Sequence, residues 1–180
     1  MSVEFVTFDE YKNNGLRTYP AHWTLAPGST YQDRWPYHAK AIELLRGLDL
    51  ESPSDVLEIG TYGASLVKGS DTLDIGSSKA RVQGEYKLTM THDLRIIPWP
   101  ISRKYKALVA LRVWHHLMPM QREAFNEAKR IAENIIIVCP EETYRHRIGI
   151  TRQQFAEWYG KEPEYIADLG DMGPIYLFKN

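Results

Sequence analysis

The chain has 180 residues, of which 43% are apolar and 25% charged, a balance that suits one globular domain with its own hydrophobic core. Its 22 basic and 23 acidic side chains give a formal net charge of −1, whereas proteins that bind nucleic acid usually carry a basic excess, so we expect no nucleic-acid partner. No apolar run approaches the roughly 20 residues that span a bilayer, and no signal peptide is evident, so we expect no membrane partner and a cytoplasmic protein.

The first 48 residues are predicted to form an arm and a helix. Residues 1–35 are rich in aromatic residues, proline and glycine without a sustained period, which indicates an irregular arm with a short helix over Phe8–Asn13. Pro36 suits a first helical position, and the apolar residues that follow recur at helical spacing. We therefore predict a helix over 36–47.

Beyond residue 50, short apolar runs alternate with helical patterns. The runs predict seven strands, at Asp55–Gly60, Asp71–Ile75, Tyr86–Met90, Tyr105–Leu111, Ile135–Cys139, Tyr165–Leu169 and Ile175–Phe178. Pro119 opens a helix with Phe125 on its apolar face, and Thr151 is a predicted N-cap for a helix through Trp158. This alternation predicts an α/β fold with a mostly parallel sheet, and the turn-rich loop 170–174 joins the last two strands as an antiparallel hairpin.

Cysteine and histidine usage argues against a disulfide or a metal centre. Cys139 is the one cysteine, so no intrachain disulfide can form, and its apolar run predicts a buried thiol at a strand. The six histidines show no spacing typical of metal ligands, so we expect no metal.

Four segments, in order, resemble the motifs of the class I S-adenosylmethionine-dependent methyltransferases. Val56–Gly60 resembles the first motif, an acidic residue two before a glycine, and Asp74 stands where the family has an acid at the end of its second strand. His92–Leu94 resembles the segment after the third strand, and Tyr105–Leu117 resembles the fourth strand and the start of the next helix. The resemblance implies one methyltransferase-like domain over 1–180, a Rossmann-like three-layer sandwich with a seven-stranded sheet and an antiparallel C-terminal hairpin strand.

The same resemblance implies a site for S-adenosylmethionine, with S-adenosylhomocysteine as product, at the carboxyl ends of the strands. Asp74 would accept hydrogen bonds from the ribose diol, and Asp93 from the adenine amino group. The backbone near Leu111 and Arg112 would face the methionine end of the cofactor. The implied cofactor-binding residues are Glu58, Gly60, Thr61, Tyr62, Gly63, Asp74, Ile75, Asp93, Leu94, Leu111 and Arg112.

His115 and His116 are the predicted catalytic residues. A histidine near neutral pKa can act as general base on a hydroxyl or amine acceptor, although a structural role is an equally open interpretation. Because adjacent residues of a helix point about 100° apart, we expect the two side chains not to share one small site.

The resulting prediction is an enzyme, an S-adenosylmethionine-dependent methyltransferase that acts on a small-molecule acceptor. The alternative is a non-catalytic methyltransferase-like domain that has lost cofactor binding. Tyr62 and Ala64 motivate that alternative, since they stand where the family has loop glycines, and so do the ten residues between Gly60 and Asp71, which leave little room for the usual first helix. For the aromatic arm, three interpretations stay open: a cover over the active site, core filling, or the contact of a homodimer.

Overall fold

The structure, a computed structural model, describes residues 3–18, 30–61, 63–75, 88–141 and 149–180. Within these ranges the helices α1–α4 are Phe8–Thr18, Tyr31–Arg46, Gln121–Ile131 and Arg152–Tyr159. The strands β1–β7 are Val56–Ile59, Asp71–Asp74, Met90–Thr91, Tyr105–Leu111, Ala132–Val138, Tyr165–Ala167 and Ile175–Lys179. Three short 3-10 turns lie at Pro53–Asp55, Trp114–His116 and Gly170–Met172.

All these strands belong to one sheet, in the order β3-β2-β1-β4-β5-β7-β6. The pairs among β1 to β5 are parallel, and β7 runs antiparallel to both of its neighbours, β5 and β6. The predicted sheet is therefore confirmed, with its antiparallel strand next to the edge.

Helices cover both faces of the sheet, so the predicted three-layer sandwich is also confirmed. Along β4, Leu108 and Ala110 pack against α3 and α4, whereas Ala107 and Val109 pack against α1 and α2. All four side chains are almost completely buried. A strand covered on both faces is apolar along its whole length, which is why continuous apolar runs identified the central strands.

The largest errors in the predicted boundaries are five residues each: α1 ends at Thr18 instead of Asn13, and α2 begins at Tyr31 instead of residue 36. Thr30 is its N-cap, because the Thr30 hydroxyl accepts a hydrogen bond from the N–H of Asp33 at 3.3 Å. Pro36 consequently lies inside the helix, in its second turn. Among the strands, β5 begins three residues early, directly after α3, and residues 86 and 87 of the predicted third strand lie outside the described residues.

The N-terminal residues extend alongside the segment that follows β1. The N–H of Val6 donates to the carbonyl of Leu66 at 2.9 Å, and the N–H of Lys68 donates to the carbonyl of Glu4 at 2.9 Å. Tyr11 and Tyr37 are buried in the apolar cluster between the sheet and α1 and α2. The arm residues Tyr19, His22 and Trp23 lie outside the described residues. Among the described helices, none is both long and apolar enough to cross a bilayer.

Thr151→Ala is expected to lower the free energy of unfolding by about 1 kcal/mol. The Thr151 hydroxyl accepts from the N–H of Gln154 at 3.2 Å, and the Gln154 side chain accepts from the N–H of Thr151 at 2.9 Å. This capping box satisfies backbone donors at the start of α4. Urea denaturation measures the loss, and Thr151→Ser, which keeps the hydroxyl, should retain most of the stability. Equal losses in the two variants would show that the cap contributes nothing.

Candidate active site

The carboxyl ends of β1, β2 and β4 meet at one edge of the sheet. Gly60 directly follows β1, and its N–H donates to the carbonyl of Leu73 in β2 at 3.1 Å. On the other side, an ideal Cβ built on Gly60 would lie 2.4 Å from Cγ2 of Val113, just beyond β4. Only glycine therefore lets these strand ends approach so closely.

The backbone at this edge adopts left-handed conformations. Gly60 has a φ of +64° and Gly63 a φ of +83°. Arg112, directly after β4, has a φ of +60°, and it is the one non-glycine residue of the described chain with a positive φ. Strain of this kind persists where the surroundings hold it in place, and it concentrates at functional sites.

Glu58 lies in β1 on the side of α1 and α2, and its carboxylate holds the loop between β1 and β2. The carboxylate accepts from the N–H groups of Leu66 and Val67 at 2.7 and 2.9 Å, and from the Ser70 hydroxyl at 2.7 Å. Burial raises the pKa of Glu58 to about 7, although the three hydrogen bonds oppose that shift. The described part of residues 61–70 contains no helix and consists of irregular backbone, short turns and one bridge residue, Val67. The acid thus shapes the loop, and its predicted contact with a cofactor stays a prediction.

Asp74 and Ile75 occupy the end of β2. One carboxylate oxygen of Asp74 accepts from the N–H of Ile75 at 2.7 Å. The Ile75 side chain is 40% exposed, unlike most large apolar side chains of this protein. The edge therefore combines a carboxylate with an accessible apolar surface, as a sugar and its attached base would require.

Asp93 lies two residues beyond the end of β3, in the segment that follows the strand. This segment is joined to the end of β2, because the N–H of His92 donates to the carbonyl of Asp74 at 2.9 Å. Both carboxylate oxygens of Asp93 accept from the Arg95 guanidinium, at 2.9 and 2.6 Å, and this pairing lowers the pKa of Asp93 to about 2. Sequence reasoning missed Arg95, although an acid and an arginine two residues apart in a turn-rich segment are a visible signal.

The two predicted catalytic histidines lie in the 3-10 turn after β4. His115 is buried, with 5% of its surface exposed, whereas His116 is exposed. Their ring centroids are 3.9 Å apart, so the two rings contact each other although one residue is buried and the other exposed. The expectation that the two side chains do not share one small site stays a prediction. These residues form a 3-10 turn, which differs from the α-helix that was expected.

Three further predicted residues, Thr61, Leu94 and Leu111, lie within the described part of the chain. The carbonyl of Thr61 accepts from the N–H of Ala64 at 3.0 Å, which closes a turn around Gly63. Leu94 is buried, and its carbonyl accepts from the Trp99 indole at 2.9 Å. Leu111 ends β4 and is half-buried, and Tyr62 lies outside the described residues.

The described residues offer neither a metal centre nor a reactive thiol. Over the described ranges, no group of three or more His, Cys, Asp or Glu side chains is placed to hold a metal ion. Cys139 directly follows β5 and is completely buried, as predicted, and burial raises the pKa of its thiol to about 12. A thiol with such a pKa is a poor nucleophile at neutral pH.

No family model and no curated protein matches the chain, but solved structures do. The methyltransferase domain of bacterial CtHen1-CN is 15% identical, with a TM-score of 0.54 over 80% of this chain and 97% of that one. OxaC is 13% identical (TM-score 0.52), and the match covers 75% of this chain and 45% of OxaC. The pyocyanin biosynthetic protein PhzM is 12% identical (TM-score 0.51), and the match covers 91% of this chain and 62% of PhzM.

The chain has the class I methyltransferase fold. At 12–15% identity this likeness establishes the fold. A fold alone does not determine activity, which depends on the residues at the strand ends of this chain.

Proposed function

We propose that the chain binds S-adenosylmethionine at the carboxyl ends of β1, β2 and β4 and transfers its methyl group to a small-molecule acceptor. The observation that carries the proposal is the meeting of Gly60, Asp74 and Ile75 at that edge of a methyltransferase fold. Open α/β sheets bind ligands outside the carboxyl ends of their strands, where strand order reverses, and β1 and β4 flank that reversal here.

The residues at this edge fit an adenosyl group. A carboxylate has acceptor sites for about four hydrogen bonds, and a ribose diol presents two donors, which suits Asp74. The exposed face of Ile75 offers an apolar surface for the base. An adenine amino group would have to share the Asp93 carboxylate with Arg95, so the proposal does not depend on Asp93.

S-adenosylmethionine, when bound, supplies a methyl group that its sulfonium already activates. The protein then has to orient the acceptor and, for a hydroxyl acceptor, to take up the proton that the oxygen releases as it gains the methyl group. His116 and His115 are the candidate bases. His116 is the better placed of the two, because its ring is exposed and a base must reach the acceptor atom. His115 packs against that ring and can fix its orientation.

Calorimetric titration with S-adenosylhomocysteine tests the cofactor proposal, and Asp74→Asn is expected to weaken binding about 10- to 100-fold. Loss of charge-assisted hydrogen bonds to a diol is worth roughly 1.5–3 kcal/mol, which corresponds to that range. Asp49→Asn makes the same change at an exposed residue away from the strand ends and should leave the affinity unchanged. A wild-type affinity weaker than about 1 mM would refute the proposal and favour the non-catalytic alternative.

A further inference from the structure

Arg112 has a setting that cofactor binding alone does not explain. Its guanidinium is half-buried, and its Nη1 donates to the thioether sulfur of Met172 at 3.0 Å. A thioether is a weak acceptor that carries no charge. Burial lowers the pKa of Arg112, which indicates that its charge is held away from water at an energetic cost.

A second cation, Arg34 of α2, lies close enough to act on Arg112. The charge of Arg34 further lowers the pKa of Arg112, and both guanidinium groups lower the pKa of the buried Tyr37 hydroxyl. Arg112 has no carboxylate partner among the residues that the structure describes. A partly desolvated cation without a carboxylate partner favours the binding of an anion beside it, and the nearby charge of Arg34 adds to the positive potential at Arg112.

The surroundings of Arg112 are rigid, as a binding site requires. Its N–H donates to the carbonyl of Val138 at 2.7 Å, which continues the β4–β5 pairing beyond the strand. Met172 belongs to the β6–β7 connection, and that connection packs tightly, because a Cβ built on Gly173 would lie 2.5 Å from Cα of Pro140. β5 therefore holds the backbone of Arg112, and the β6–β7 connection contacts its guanidinium, at the edge that carries the proposed cofactor site.

We propose that Arg112, assisted by Arg34, binds an anionic group of the methyl acceptor, either a carboxylate or a phosphate. The inference rests on the proposed methyltransferase function and specifies its substrate class. A guanidinium presents paired N–H donors that match two oxygens of such a group. Because Arg112 directly precedes Val113, which contacts Gly60, an acceptor anchored there lies next to the proposed methyl donor.

The test titrates the protein, saturated with S-adenosylhomocysteine, with two anions, benzoate and inorganic phosphate. Benzamide, an uncharged analogue of benzoate, is the control ligand. The wild type should bind at least one of the two anions saturably and benzamide at least about tenfold more weakly. Arg112→Asn removes the charge and suits the left-handed backbone, and it should weaken anion binding about tenfold or more. Arg122→Asn is the matched control, since Arg122 is an exposed residue on the opposite helical layer.

Arg34→Gln is a second variant that leaves the strained backbone at Arg112 unchanged, and it too should weaken anion binding. Normal cofactor binding without saturable anion binding, or anion binding that survives both arginine substitutions, would overturn the inference. A third result would also overturn it. If Arg112→Asn lowers the affinity for S-adenosylhomocysteine but not for 5′-methylthioadenosine, Arg112 holds the cofactor's own carboxylate. Anion binding through Arg112 without any cofactor binding would refute the proposed function and the acceptor role together, and leave only an anion site.

Discussion

Gly60→Ala is expected to lower the free energy of unfolding by about 2–5 kcal/mol and to abolish tight binding of S-adenosylhomocysteine. The left-handed backbone at φ +64° costs a residue with a Cβ roughly 1–2 kcal/mol. The new Cβ would also lie 2.4 Å from Cγ2 and 3.3 Å from Cγ1 of Val113, and such overpacking typically costs about 1–3 kcal/mol. Relief of the contact would separate the ends of β1 and β4, where the adenosyl group is proposed to bind.

Gly170→Ala separates the two contributions. Gly170 has nearly the same backbone, with a φ of +63°, but no atom lies within 4 Å of an ideal Cβ there. The control should therefore lose only the conformational part, about 1–2 kcal/mol. In Gly60→Ala/Val113→Ala, removal of the valine methyl groups should restore the steric part of the stability. If Gly60→Ala unfolds no more easily than Gly170→Ala, the close approach of the two strand ends is unimportant. Urea denaturation of the wild type and these three variants measures the free energy of unfolding, and titration of the same samples with S-adenosylhomocysteine measures the affinity.

The central strands could be predicted from the sequence because their environment is uniform. The boundaries predicted for β4, Tyr105–Leu111, match the structure, since helices bury the strand on both faces and its whole apolar run is the signal. The position of Asp74 at a strand end follows from the same pattern. Topology then brings that end beside Gly60, so the sequence pattern also predicts that the two residues meet at one edge of the sheet.

The partners of the site's side chains could not be predicted, because they come from distant or irregular parts of the chain. The donors to Glu58 include two backbone N–H groups of a loop without a periodic pattern. The environment of Arg112 combines Arg34, Met172 and a left-handed backbone, and no sequence pattern connects the three. The start of α2 was missed for a related reason: the hydroxyl of Thr30 decides it, whereas Pro36 is the more conspicuous residue.

Relative to Glu58→Gln, the wild-type protein is expected to lose about 3 kcal/mol of stability as the pH rises from 4.5 to 7. The folded pKa of Glu58, about 7, lies above its ordinary value of 4.5, so the folded state binds the proton more tightly than the unfolded state does. The stabilisation is then fully present below pH 4.5, is lost as the carboxyl ionises, and stays constant above pH 7. A difference of about 2.5 pH units corresponds to roughly 3 kcal/mol. The physical cause is the burial of the charge in β1, which three hydrogen bonds only partly offset.

Urea denaturation of both proteins between pH 4 and 8 measures this difference. The comparison cancels the exposed acids, and Asp93, whose pKa is lowered to about 2, has already ionised below this range. Ser70→Ala removes a hydroxyl that donates to the ionised carboxylate, so it should raise the pKa of Glu58 and move the upper end of the transition to higher pH. A wild-type minus Glu58→Gln difference that does not change between pH 4.5 and 8 would contradict the prediction. It would show that the donors of the 66–70 segment outweigh burial and keep Glu58 ionised throughout.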